Sequence, residues 1–136
     1  MEIVVSKEQG RVAVSVVKVA GQLDGQSYQK LINEARELFQ AGTQNILLDF
    51  SDLSYISSAG LVSLHTIALI LRGETLPDLE EGWSTLKSMG RTKDLGAQKN
   101  LKLLNPQPQV TSVLDMVGFS ELFEVFTDKK TAIDSF

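Results

Sequence analysis

The sequence contains no cysteine and a single histidine in 136 residues. The first absence excludes disulfides, thiolate metal sites and cysteine nucleophiles. The second leaves His65 without the partners a metal site requires, so no metal and no cofactor are expected. Lys and Arg number 13 against 17 Asp and Glu, a net charge of −4. Nucleic acids and anionic membranes both favour clustered positive charge, so neither is an expected partner. The longest apolar stretch, residues 61–71, is interrupted by Ser63, His65 and Thr66. It is far too short to span a bilayer. Residues 1–11 lack the basic-then-apolar order of a signal peptide, so the expected location is the cytoplasm.

What is present is a core. Hydrophobic residues make up 43% of the chain and charged residues 22%, a balance that suits one compact domain over residues 1–136. Residues 2–6 and 11–19 are β-rich, and the turn carrying Gly10 joins them as a hairpin. In the second run Val12, Val14, Val16 and Lys18 face one way, and Ala13, Ser15, Val17 and Val19 the other. Next, Tyr28, Leu31, Ile32, Ala35, Leu38 and Phe39 form one helical stripe, with Asp24 or Ser27 as its cap and Gly42 as its stop. Residues 45–50 read as a buried strand. Residues 61–71 read as a helix apolar on most sides, either deeply buried or serving a partner.

Residues 73–99 form a polar insertion with four glycines. Leu79, Trp83, Leu86 and Met89 keep helical spacing within it, after an Asp78 cap. Trp83 either anchors a partner or folds back over the chain. A strand at 101–105 follows, then Pro106 and Pro108 break the pattern. Val110, Val113, Leu114 and Val117 predict a helix that stops at Gly118. Residues 122–126 predict a strand, and Thr127 or Asp128 caps a last helix that turns Ala132, Ile133 and Phe136 inward. The order is β-β-α-β-α-(insertion)-β-α-β-α, with about four helices. It predicts an α/β fold with a mostly parallel sheet behind an N-terminal hairpin strand.

The chemistry centres on Ser57 and Ser58, where a strand gives way to the second helix. A helix start offers free N–H groups and partial positive charge. A serine there either caps the helix or accepts a phosphate, which the helix end tolerates. A serine nucleophile is excluded. Ile56 stands where a G-x-S-x-G elbow needs glycine. His65 lies seven helical positions from Ser58, ~10.5 Å of rise. Asp49 ends a strand as a phosphoacceptor aspartate does, but no acidic pair accompanies it. It reads instead as the acceptor that organises the turn at Ser51–Ser54.

Three stretches, GQLDGQSYQKL, ILLDFSDLSYISSAGLVSL and LKLLNPQPQVTSVLDMVGFSELFEVF, resemble the STAS domain, the domain of bacterial anti-sigma-factor antagonists. The resemblance covers all but the insertion, and LDFSDLSYISSAGL is its most specific part. It implies a STAS fold and a partner-switching phosphoprotein in transcription regulation, not an enzyme. The implied partners are an anti-sigma factor with serine kinase activity, bound by the unphosphorylated form, and a serine phosphatase that resets the switch. The acceptor implied is Ser58, with Ser57 as runner-up. Asp24, Ser57, Ser58, Ala59, Gly60 and Leu61 are the implied partner-binding residues, Gly60 allowing close approach of a partner's backbone. The sequence departs from the family by Ser57, where many members carry Asp, by Ala59, where others carry Ser, and by the insertion. A STAS-like scaffold or sensor in another signalling assembly, without a sigma factor, is the alternative.

Overall fold

The structure is a computed structural model and describes residues 1–72 and 98–136. Trp83 and the helix expected around it lie outside the described residues. The described residues hold six strands: β1 (Glu2–Gln9), β2 (Ala13–Leu23), β3 (Ile46–Asp49), β4 (Leu53–Ile56), β5 (Gln98–Leu104) and β6 (Phe123–Phe126). They also hold five helices: α1 (Tyr28–Gln40), α2 (Ser58–Leu71), α3 (Pro108–Met116), α4 (Phe119–Leu122) and α5 (Lys129–Asp134). The strands lie in the order β1-β2-β3-β5-β6, with β4 pairing the distal part of β2. The β1–β2 pair is antiparallel and the other pairs are parallel. The fold class is therefore as expected: α/β, with a mostly parallel sheet and an N-terminal hairpin strand.

Both faces of the sheet are buried, and alternation along each strand divides them. Val17 and Val19 of β2, Ile46 and Leu48 of β3 and Leu101 and Leu103 of β5 enter the large core with α1 to α4. The intervening Val14, Val16, Leu47 and Leu104 join Ala132 and Ile133 of α5 in a smaller second core. Lys102 lies on that second face, 4% exposed. Its ammonium donates to the carbonyl and hydroxyl of Ser135 at 3.0 and 2.9 Å, beside the rings of Phe126 and Phe136. A buried cation is tolerable when it is paired in this way.

The structure corrects the sequence reading in several places. Among the described residues a single-turn helix, α4, follows Gly118, beyond the four helices expected. The strand β4 falls where only a turn was expected. Its buried residues, Leu53 and Ile56, are three apart and give no period-two signal. Strand β2 runs on to Leu23 through a register shift at Gly21, whose φ of +101° favours glycine. Strand β5 spans Gln98–Leu104, where the sequence predicts a strand at 101–105. Helix α2 begins at Ser58, and eleven of its fourteen residues are buried.

Candidate functional site

The carboxyl ends of β2 and β4 lie side by side, and each leads into a helix. The pairing Leu23↔Ile56 ends the ladder. Asp24 and Ser57 are therefore the first residues beyond it on adjacent strands. In open α/β sheets this is the end where binding sites form. The backbone N–H of Ser57 donates to the Leu23 carbonyl at 2.9 Å, which ties the start of α2 to the end of β2.

The start of α2 separates its two serines. Ser57 is the N-cap, in extended conformation, and its hydroxyl accepts from the Gly60 N–H at 3.4 Å. Ser58 is the first helical residue and is exposed, and among the described residues its hydroxyl has no hydrogen-bond partner. Ala59 is half-buried, whereas Gly60 and Leu61 are buried. A Cβ at Gly60 would sit 2.6 Å from Ile56 Cγ1 and 2.7 Å from the Leu23 carbonyl oxygen. The close approach that Gly60 permits within the chain is thus to its own two strands. Gly60 and Leu61 shape the surface from beneath, while Ser57, Ser58 and Ala59 form its accessible part.

The start of α1 is built differently. Neither Asp24 nor Ser27 caps α1 through a side-chain hydrogen bond, contrary to expectation. They close their own turn instead. The Asp24 carboxylate accepts from the Gln26 N–H at 3.0 Å. The Ser27 hydroxyl accepts from the Asp24 N–H at 3.0 Å and donates to the Gln22 carbonyl at 2.8 Å. The Asp24 carbonyl takes the first two helix-start amides, those of Ser27 and Tyr28. An aspartate two residues before a backbone N–H forms such a turn readily. Asp24 also lines an open cleft with Gln26, Ser27, Lys30 and Ser54.

The short strand β4 is held on every side. Asp49 accepts from both the N–H and the hydroxyl of Ser51, the role the sequence predicts for it. The Gln107 amide donates to the Ser51 carbonyl at 2.8 Å, and the Gln109 amide to the Ser54 carbonyl at 3.1 Å. The Ser54 hydroxyl donates to the Gly21 carbonyl at 2.8 Å. Asp52 pairs with Lys18 at 3.0 Å, and this hydrogen-bonded carboxylate raises the lysine pKa above its ordinary value. Sequence reasoning missed Gln107 and Gln109, because the proline-flanked run 105–109 signals only a break. It also missed Tyr55, which is 49% exposed beside the site.

Among the described residues no group of acidic and histidine side chains could hold a metal ion, and no helix is long and apolar enough to cross a membrane. His65 is buried within α2, away from the exposed surface at Ser58.

This is a largely parallel α/β domain fold with an exposed serine opening a buried central helix. A family model described as the Mlab, STAS domain matches residues 6–77, more than half of the chain. The chain belongs to the STAS domain family. Solved structures share its fold. An anti-sigma factor antagonist from Mycobacterium paratuberculosis is similar with a TM-score of 0.64 at 17% identity, over 97% of this chain and 92% of that one. Unphosphorylated SpoIIAA, an anti-sigma factor antagonist, gives 0.58 at 18% identity, over 98% and 96%. The phosphorylated form of the Bacillus cell fate determinant SpoIIAA gives 0.55 at 17%, over 96% and 97%. No curated protein sequence matches the chain.

Proposed function

We propose that this chain is an anti-sigma-factor antagonist whose binding surface is switched by phosphorylation of Ser58. The observation that carries the reading is the free, exposed hydroxyl of Ser58 at the first turn of α2, beside a neighbour already committed to capping. Similar folds described as anti-sigma factor antagonists, one in an unphosphorylated and one in a phosphorylated form, support it. The partners are an anti-sigma factor with serine kinase activity, bound by the unmodified chain in the cytoplasm, and a serine phosphatase. The chain itself acts by binding, not by catalysis.

The switch is electrostatic. Unmodified, the surface around Ser57, Ser58 and Ala59 is small and uncharged, with Asp24 at its margin. A phosphate adds about −2 charge, which the free N–H groups of the helix start accommodate. Where the partner presents a carboxylate against Ser58, like-charge contact costs several kcal/mol and releases the complex. The test is binding of the purified candidate anti-sigma factor to the native chain and to Ser58→Glu. Tight binding of the first and loss in the second supports the reading. Equal binding of both contradicts it.

A second reading is favoured by the description of the matching family model, which names no sigma factor. In it the same surface docks a component of another bacterial assembly, as a scaffold or sensor. A pull-down from native cells separates the two by the identity of the captured protein.

A further inference from the structure

The geometry points to a second interaction surface, the free edge of β1, and to a second copy of this chain as its partner. Among the described residues β1 pairs only with β2, so no other described strand pairs with the second side of this eight-residue strand. An unprotected strand edge is a template for pairing with another chain. The strand has no proline and its pairing with β2 no register shift, and it carries the β-branched run Ile3-Val4-Val5. Val4 is 60% exposed, on the face opposite the large core. Ile3 and Val5 are partly buried and pack against that core.

The two halves of the strand differ in availability. Glu8 is ion-paired to Lys129 of α5 at 3.5 Å. The adjoining Gly10 turn rests on α5, where an added Cβ would lie 2.8 Å from Ile133 Cγ2. Residues 2–6 have no such attachment to α5.

Symmetry then selects the register. Two copies related by a two-fold axis through the sheet pair antiparallel, and opposed residues share a face. Centred on Val4, the pairing sets Val4 against its own copy, Ile3 against Val5, and Glu2 against Ser6. Apolar side chains meet apolar ones on both faces, and the large core's apolar layer continues across the junction from Val17 and Val19. Centred on Val5, it sets Glu2 against Glu8 and Ile3 against Lys7. Centred on Ile3, it sets Glu2 against Val4. Only the Val4 register is self-complementary. Five residues per strand bury less than a standard interface, so the dimer is weak and concentration-dependent.

The absence of native cysteine makes the test direct. Full-length Val4→Cys and Ser6→Cys are oxidised separately at high concentration and read on denaturing, non-reducing gels, with folding checked by circular dichroism. The inference predicts a monomer-to-dimer shift for Val4→Cys and little for Ser6→Cys alone. It also predicts that mixing Glu2→Cys with Ser6→Cys restores the dimer band. Equal or stronger cross-linking of Ser6→Cys alone overturns the register. Sedimentation of the cysteine-free native chain supplies the second arm: association that rises with concentration and is lost in Val4→Lys supports the dimer, and a monomer throughout overturns it.

Discussion

Two helix starts stand side by side at one end of the sheet, and they spend their serines differently. Before α1, Ser27 is locked at both ends of its hydroxyl and Asp24 folds back on its own turn. Before α2, Ser57 takes the cap and Ser58 is left facing solvent. The glycines differ too. An added Cβ at Gly60 collides with Leu23 and Ile56, whereas at Gly25 it meets nothing within 4 Å. The first start is a self-contained turn. The second is clamped rigidly to the sheet from below and left chemically open above, the arrangement a modifiable docking surface needs.

Gly60→Val should break the second start outright. The nearest obstacles include a backbone carbonyl that cannot yield, so urea unfolding should show a loss of about 3 kcal/mol. Gly25→Ala, its counterpart, should change stability by less than about 0.5 kcal/mol. Next in size are the locked serines. Ser27→Ala removes a donor to Gln22 and an acceptor for Asp24, and should cost about 1 kcal/mol. Ser57→Ala should cost the same or somewhat less, since its cap bond is long. Ser58→Ala should leave the unfolding midpoint unchanged while abolishing modification, which would separate the free hydroxyl from the structural ones.

The smallest effect lies at a third helix start. Asp128 caps α5 by accepting from the N–H and hydroxyl of Thr131, at 2.9 and 2.7 Å, and these bonds lower its pKa below the ordinary carboxylate value. A lowered folded-state pKa adds stability above the unfolded value, and that stability is lost as pH falls through the folded one. The Thr131 amide resonance should therefore titrate below the ordinary aspartate range. Asp128→Asn should remove that titration and, with it, the small stability that the carboxylate adds at neutral pH.

Much of this fold was legible where periodicity was strong. The α1 stripe, the alternation of β2 and the buried β3 follow from spacing alone, and the sequence narrows the last cap to Thr127 or Asp128, of which the structure uses Asp128. Two of the four-residue elements were not legible, although the apolar runs of β3 and β6 were: β4 and α4 show no period, and β4 exists only because β2 continues past Gly21 to pair with it. The placement of serines at the second helix start could be read, but not which of them caps. That division depends on the extended backbone of Ser57 and on the Leu23 carbonyl that fixes it. The glutamines that hold β4 act across the fold, from positions more than fifty residues later in the chain, so no local pattern announces them.

The central claim is that Ser58, not Ser57, is the switch. Phosphosite mapping by mass spectrometry of the protein from its native cells, beside Ser57→Ala and Ser58→Ala, tests it most directly. The account predicts phosphate on Ser58, retained in Ser57→Ala and lost in Ser58→Ala. Phosphate on Ser57, or none on the native chain even when the candidate kinase is supplied, would contradict it.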